Sequence, residues 1–267
     1  MNSYVKKSLA GLTFCLTSIT GAIANTNNSI VFIHGAHFSS DSWQLVQTEL
    51  TNNEITSYAV NLPGRNDLIL PNKISLELSA ASLCSFLGTI PNKKMIVAHS
   101  QGGAIINASL SFCPEETIEK IVYLTAVAPL NNEGVFTKLN KTDELSYFSG
   151  VQYNQQKQLM EISDFEKFSN SFAQDATPKE KNWLLTHSKS EPAPIGEGKM
   201  TLSQQPFDSL EKYYIFAKND QIISLESQKK IAKDLNLKAS YQIDSGHLPM
   251  LTKSKELTDL LIKIYKL

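Results

Sequence analysis

The chain has 267 residues, 42% of them hydrophobic and 19% charged, with a formal net charge of −1. That apolar share suits a folded domain and is too high for a disordered chain, while the near-neutral charge offers no basic field to attract nucleic acid. Arg65 is the only arginine, which argues against a substrate clamped by several guanidinium forks.

The first segment, 1–24, reads as a cleavable signal peptide. Lys6 and Lys7 precede an uncharged apolar run from Ser8 to Gly21, and Ala22-Ile23-Ala24 forms a small-x-small cleavage site. The run is shorter than the ~20 residues that span a bilayer, so no stable membrane anchor is expected. Cleavage after Ala24 directs the protein to a periplasm or to the medium. It also removes Cys15 and leaves Cys84 and Cys113, an even pair in an oxidising compartment. Spacing alone leaves a disulfide and two buried thiols equally open.

From Ser29 onward, short apolar runs alternate with helical spacing. Strands are expected at Ser29–Ile33, Thr56–Leu62, Lys94–Ala98 and Ile121–Ala128. Between them, Trp43–Leu50, Ile74–Leu87 and Gly102–Phe112 have helical periodicity. The runs are continuously apolar, as in a parallel sheet covered on both faces. The rhythm breaks at Pro129 and resumes with strands at Tyr213–Ala217 and Ala239–Ile243, followed by helices near 225–235 and 252–265. The expected organisation is therefore an α/β core made of 25–129 and 206–267, interrupted by a polar, helical insertion at 130–205. Phe136, Tyr147, Phe148, Tyr153, Phe165, Phe168, Phe172 and Trp183 are scattered through it, either as its own core or as the wall of an apolar pocket.

Three residues at strand ends carry the chemistry. Ser100 lies in Ala98-His99-Ser100-Gln101-Gly102-Gly103, between an apolar strand and a helix. A serine forced out of such a turn needs small residues two before and two after it, and Ala98 and Gly102 meet that need. A serine nucleophile requires a base, and the base an orienting acid. His247 follows the last strand, Asp220 ends the one before it, and the order Ser…Asp…His is the one this architecture demands. Asp244 is the rival acid, but it sits only three residues from His247 and inside the strand. The backbone N–H groups of Gln101 and of Ala36, in His34-Gly35-Ala36-His37, are the candidate oxyanion donors. His34, His99 and His187 read as structural. The histidines and cysteines show no metal-ligand spacing, so neither metal nor cofactor is expected.

These segments, together with Leu62-Pro63-Gly64 and Gly246-His247, resemble the α/β-hydrolase superfamily along nearly all of the chain after residue 24. Within it, the chain is similar to the small branch holding plant methylesterases, hydroxynitrile lyases and bacterial carboxylesterases. The resemblance implies a triad of Ser100, Asp220 and His247 beneath a helical cap. The expectation is therefore cleavage of small or medium esters, by an enzyme that the signal peptide exports and that is taken as a monomer by default. The alternatives are cyanohydrin or other non-ester chemistry and a receptor-like binder with little turnover. Lyases of this branch carry a lysine after the catalytic histidine, whereas Leu248 stands here, which favours esters.

Overall fold

In the computed structural model, residues 28–65 and 68–267 are described; the segment read as a signal peptide lies outside them. The core begins with β1 (Ser29–Ile33), α1 (Gln44–Asn52), β2 (Ser57–Ala59), α2 (Leu76–Gly88), β3 (Lys94–His99), α3 (Gly102–Ser109) and β4 (Ile118–Leu124). The insertion holds α4 (Lys141–Gly150), β5 (Val151–Asn154), β6 (Leu159–Ile162), α5 (Phe165–Phe172), α6 (Pro178–His187), β7 (Glu191–Pro192), α7 (Ala193–Glu197) and α8 (Gln204–Ser209). The chain then returns to the core as β8 (Glu211–Ala217), α9 (Leu225–Ala232), β9 (Ala239–Ile243), α10 (Pro249–Thr252) and α11 (Ser254–Tyr265).

Six of these strands form one parallel sheet in the order β2-β1-β3-β4-β8-β9. Every residue of β1 and β3 is buried, because helices cover the central strands and leave no face for water. At the edge, β9 alternates between half-buried and exposed. The flanking helices pair as α2 with α3 and α1 with α11. Buried Leu257, Leu261 and Ile264 give α11 the apolar stripe that seats it. None of the helices among the described residues is long and apolar enough to cross a membrane.

Two expectations need correction. The fourth strand stops at Leu124 instead of running to Ala128. Thr125 turns into left-handed backbone at φ 37°, and the chain beyond it is held by buried side chains. The Tyr214 hydroxyl accepts from Ala126 N–H at 3.0 Å and donates to Ala126 O at 2.8 Å, and Asn107 Nδ2 donates to Pro129 O. The insertion is also not purely helical, since β5, β6 and β7 build a small antiparallel sheet. That sheet is two to four residues deep per strand, too short to leave a clear alternation in the sequence.

Cys84 in α2 and Cys113 beyond α3 form a disulfide, with Cα atoms 5.2 Å apart and a sequence separation of 29. It ties together the ends of two helices that already pack on each other. Closing a loop of that length removes unfolded-chain entropy worth ~3.5 kcal/mol. The Cys84→Ser/Cys113→Ser variant should therefore unfold at lower urea, losing about 2–4 kcal/mol. Alkylation of unreduced residues 25–267, which lack Cys15, should add no label.

Candidate active site

All the functional loops leave the sheet at the C-terminal ends of parallel strands, where an open α/β sheet places its crevice. Ser100 follows β3 at φ 53°, left-handed backbone that costs a non-glycine residue about 1 kcal/mol or more. Three hydrogen bonds hold it there. Its N–H reaches Leu124 O at 3.3 Å, and its carbonyl accepts from Gly103 N and Val127 N, each at 3.1 Å. The turn closes only because its neighbours are small. A Cβ on Gly103 would stand 2.1 Å from Val127 O, and one on Gly102 would stand 2.9 Å from His34 O. Gly35, across the crevice, has the same constraint, since a Cβ there would come within 2.6 Å of Ser100 Cβ.

The structure brings the three residues singled out in the sequence into one chain of hydrogen bonds. His247 Nε2 lies 3.0 Å from Ser100 Oγ, and His247 Nδ1 lies 2.7 Å from Asp220 Oδ2. Since the carboxylate can only accept, Nδ1 carries the proton and the Nε2 lone pair faces the serine hydroxyl. Asp220 is held from three further sides. The Thr125 hydroxyl donates to Oδ2, and Ile222 N–H and Ile223 N–H donate to Oδ1 at 2.7 and 3.0 Å. Asp244, the rival acid, is turned outward to Asn219 and Lys218; those partners, the Asn219 amide first, lower its pKa.

The two candidate oxyanion donors flank the serine. Gln101 follows it directly at the N-terminus of α3, where the helix dipole favours negative charge. Ala36 follows Gly35, where an added Cβ would come within 2.6 Å of Ser100 Cβ. Among the described residues, neither N–H donates a hydrogen bond. Also among the described residues, no group of three or more His, Cys, Asp or Glu side chains is arranged to hold a metal ion.

Around this centre lie histidines that do other work. His99 Nε2–H donates to the His247 carbonyl at 2.8 Å, joining the serine turn to the histidine loop. His34 Nδ1–H donates to Gly35 O and its Nε2 accepts from Leu62 N–H, bracing its loop. His37, at φ 66°, donates from Nδ1 to Lys189 O and accepts at Nε2 from the Tyr147 hydroxyl. Burial, with the nearby charge of Arg65 adding to it, lowers His34 to about 3. Burial lowers His37 to about 4 and His99 well below its ordinary value.

The insertion reaches three of the loops around the site. Gly246 N–H, just before the histidine, donates to Asp175 Oδ2 at 3.0 Å, and Gln174 Nε2 donates to Asn219 O. Ser224 N–H, beyond the aspartate, donates to Asp143 Oδ1 at 3.0 Å. On the β1 side, His37 N–H donates to Glu191 Oε2, which is ion-paired with Arg65. The aromatics divide between two places. Phe168 and Phe172 stack at 4.2 Å and Phe172 stands edge-on to the His247 ring at 5.5 Å, whereas Phe136, Phe148 and Tyr153 are exposed.

Sequence reasoning missed Thr125, Asp175 and Glu191, polar residues without a local pattern, and Asp143, whose local signal is its capping box with Asn140. Arg65 also carried a signal, as the sole arginine, and it was read for what it excludes.

Comparison with known proteins agrees with this fold. A family model described as alpha/beta hydrolase family matches residues 30–260. Methylesterase 7 of Arabidopsis thaliana is 24% identical over 253 residues, covering 90% of this chain and 97% of that protein. Among solved structures, a pyrethroid hydrolase from Sphingobium faniae JZ-2 superposes with a TM-score of 0.73 at 17% identity, covering 90% of this chain and 97% of its own. An extracellular alpha/beta-hydrolase from a Paenibacillus species, described as sharing structural and functional homology with tobacco salicylic acid binding protein 2, does so at 0.75 and 20%. It covers 88% of this chain and 98% of its own.

The lowered histidines make stability depend on pH. Unfolding returns each ring to an ordinary value near 6.5, so below that pH the unfolded chain binds protons that the folded one refuses. Stability is fully present above about 6.5 and falls as pH drops toward about 4, at up to ~1.4 kcal/mol per pH unit for each histidine. The urea midpoint should be flat from pH 8 to 7 and clearly lower at pH 5. An unchanged midpoint at pH 5 contradicts the buried neutral state of these rings.

Proposed function

The chain belongs to the alpha/beta hydrolase family, and we propose that it is a serine carboxylesterase acting on small or medium esters. One observation carries the reading. The Ser100–His247–Asp220 chain has hydrogen-bond distances of 3.0 and 2.7 Å, with a lone pair aimed at the serine hydroxyl. A relative named as a methylesterase, matched along nearly its whole length, supports the ester class.

In the proposed mechanism His247 Nε2 takes the proton of Ser100 as Oγ attacks the ester carbonyl. The negative oxygen of the tetrahedral intermediate is held by the N–H groups of Ala36 and Gln101. Asp220 keeps the imidazole in its tautomer and stabilises the imidazolium. His247 then protonates the departing alcohol, and water attacks the acyl-serine by the same path. Phe172, edge-on to the histidine, and Phe168 stacked on it are buried and serve as packing between the insertion and the site. Leu248 in the position after the histidine supports ester over cyanohydrin cleavage.

We further propose that the protein is exported with 1–24 as its signal. The order of basic, apolar and small residues supports this, as does the Cys84–Cys113 disulfide, since such bonds persist in oxidising compartments.

Residues 25–267 should hydrolyse p-nitrophenyl butyrate. Ser100→Ala should be at background, and Asp220→Asn should fall of the order of 10³-fold in kcat with KM little changed. Equal rates in wild type and Ser100→Ala overturn the reading. Wild-type turnover in Asp220→Asn removes the aspartate from it.

A further inference from the structure

The turn that carries Ala36 is gripped by the insertion, and an unusual pair of charges does the gripping. His37 sits at φ 66°, a left-handed conformation that a non-glycine residue keeps only when its surroundings enforce it. Each polar group of His37 is bound. Its N–H donates to Glu191 Oε2 at 3.0 Å, its carbonyl accepts Lys189 N–H at 2.9 Å, and its Nδ1–H donates to Lys189 O at 2.8 Å. All three of these partners come from the insertion. The next residue is held from the core, where Arg65 Nε donates to Phe38 O at 2.5 Å.

The side chains of Arg65 and Glu191 are 1% and 2% exposed. Burial pushes the Glu191 carboxyl up, and the Arg65 guanidinium beside it opposes that shift. A lone buried carboxylate one residue from an oxyanion donor would repel the charge the reaction develops there, and it would be costly to bury. Paired with Arg65, it supplies an acceptor for His37 N–H with its negative charge compensated. The backbone contact beside it is equally close, since a Cβ on Gly64 would stand 2.7 Å from Pro192 Cγ. The pair therefore joins residue 65 of the core to residue 191 of the insertion directly behind the turn.

We propose that Arg65 and Glu191 are positioning residues for the oxyanion hole: by fixing the His37 peptide, the buried pair aims the Ala36 N–H at the oxygen that becomes negative. The proposal rests on the acyl-transfer reading of Ser100. A misaimed donor weakens binding of the transition state and leaves substrate affinity largely alone, so the loss falls on kcat.

The test compares the full chain with Glu191→Ala, Glu191→Gln and the apolar pair Arg65→Met/Glu191→Leu. Two rates are read for each: turnover of p-nitrophenyl butyrate, and phosphonylation of Ser100 by a fluorophosphonate followed by intact mass. Glu191→Ala should slow both about ten- to hundredfold, with KM within about threefold, a misaimed donor costing less than the ~10²–10³ of a donor removed outright. Glu191→Gln keeps an oxygen for His37 N–H and should stay within about fivefold of wild type in both rates. A folded Glu191→Ala that reacts at wild-type rates, or loses only KM, overturns the proposal, and so does a Glu191→Gln no better than Glu191→Ala. If Glu191→Ala does not fold, the apolar pair decides, because filling a buried ion pair with apolar volume commonly preserves stability. Wild-type rates in that variant overturn the proposal, and parallel slowing of both rates supports it. If wild type is labelled at Ser100 but cleaves no ester, the ester reading fails while the labelling rates still decide this one. If Ser100 takes no label, both fail.

Discussion

The backbone at Ser100 is held where an L-residue resists going, and the surrounding chain is shaped to keep it there. With φ at 53°, the hydroxyl is lifted above the sheet at the start of α3. The turn that does this has room for no side chain at Gly102 or Gly103, nor at Gly35 opposite. A residue at such a φ is retained only where packing and hydrogen bonds over-determine it. Here the determinants are Leu124 O on one side and the N–H groups of Gly103 and Val127 on the other. The same device recurs at neighbouring strand ends. His37 after β1 and Thr125 after β4 also have positive φ, His37 beside the proposed oxyanion donor Ala36 and Thr125 on the Asp220 carboxylate. Three residues with positive φ thus surround the crevice, and the buried sheet beneath provides the rigidity to hold them.

The insertion closes this arrangement from above. The parallel sheet sets where each loop begins, but a loop end is only as fixed as its own hydrogen bonds. Asp175 holds the peptide before His247, Asp143 the segment after Asp220, and Glu191 the peptide after Ala36. Three carboxylates of one insertion thus accept from three backbone N–H groups of the site. Each such bond to a charged acceptor contributes more than a neutral one. In this arrangement the cap is a template for the crevice as well as its cover, and the cap's own small sheet places Glu191 in strand pairing with Met160.

Much of the core was readable in sequence because its signals are local. Ser29–Ile33 and Lys94–Ala98 are apolar runs of strand length, and β1 and β3 begin at the same residues. The turn at Ser100 announces itself through Gly102 and Gly103, residues required by steric contact within a few positions. The end of β4 was misjudged because Ala126, Val127 and Ala128 are as apolar as a strand. What breaks them out of it is the Tyr214 hydroxyl, 88 residues away. The short strands of the insertion escaped notice for a related reason, since β7 has only two residues.

The sequence by itself determined the parallel α/β core and the order of Ser100, Asp220 and His247, which follow β3, β8 and β9. Those follow from runs, breaks and order along one chain. Tertiary structure alone decided that Cys84 meets Cys113, that Thr125 supports Asp220 across 95 residues, and that Arg65 pairs with Glu191 across 126. No periodicity encodes such partners, because a polar side chain finds its mate only after the sheet and the insertion have folded and both groups have lost water. Once buried, each must be bonded or its desolvation goes uncompensated, and it is the fold that selects which residue answers.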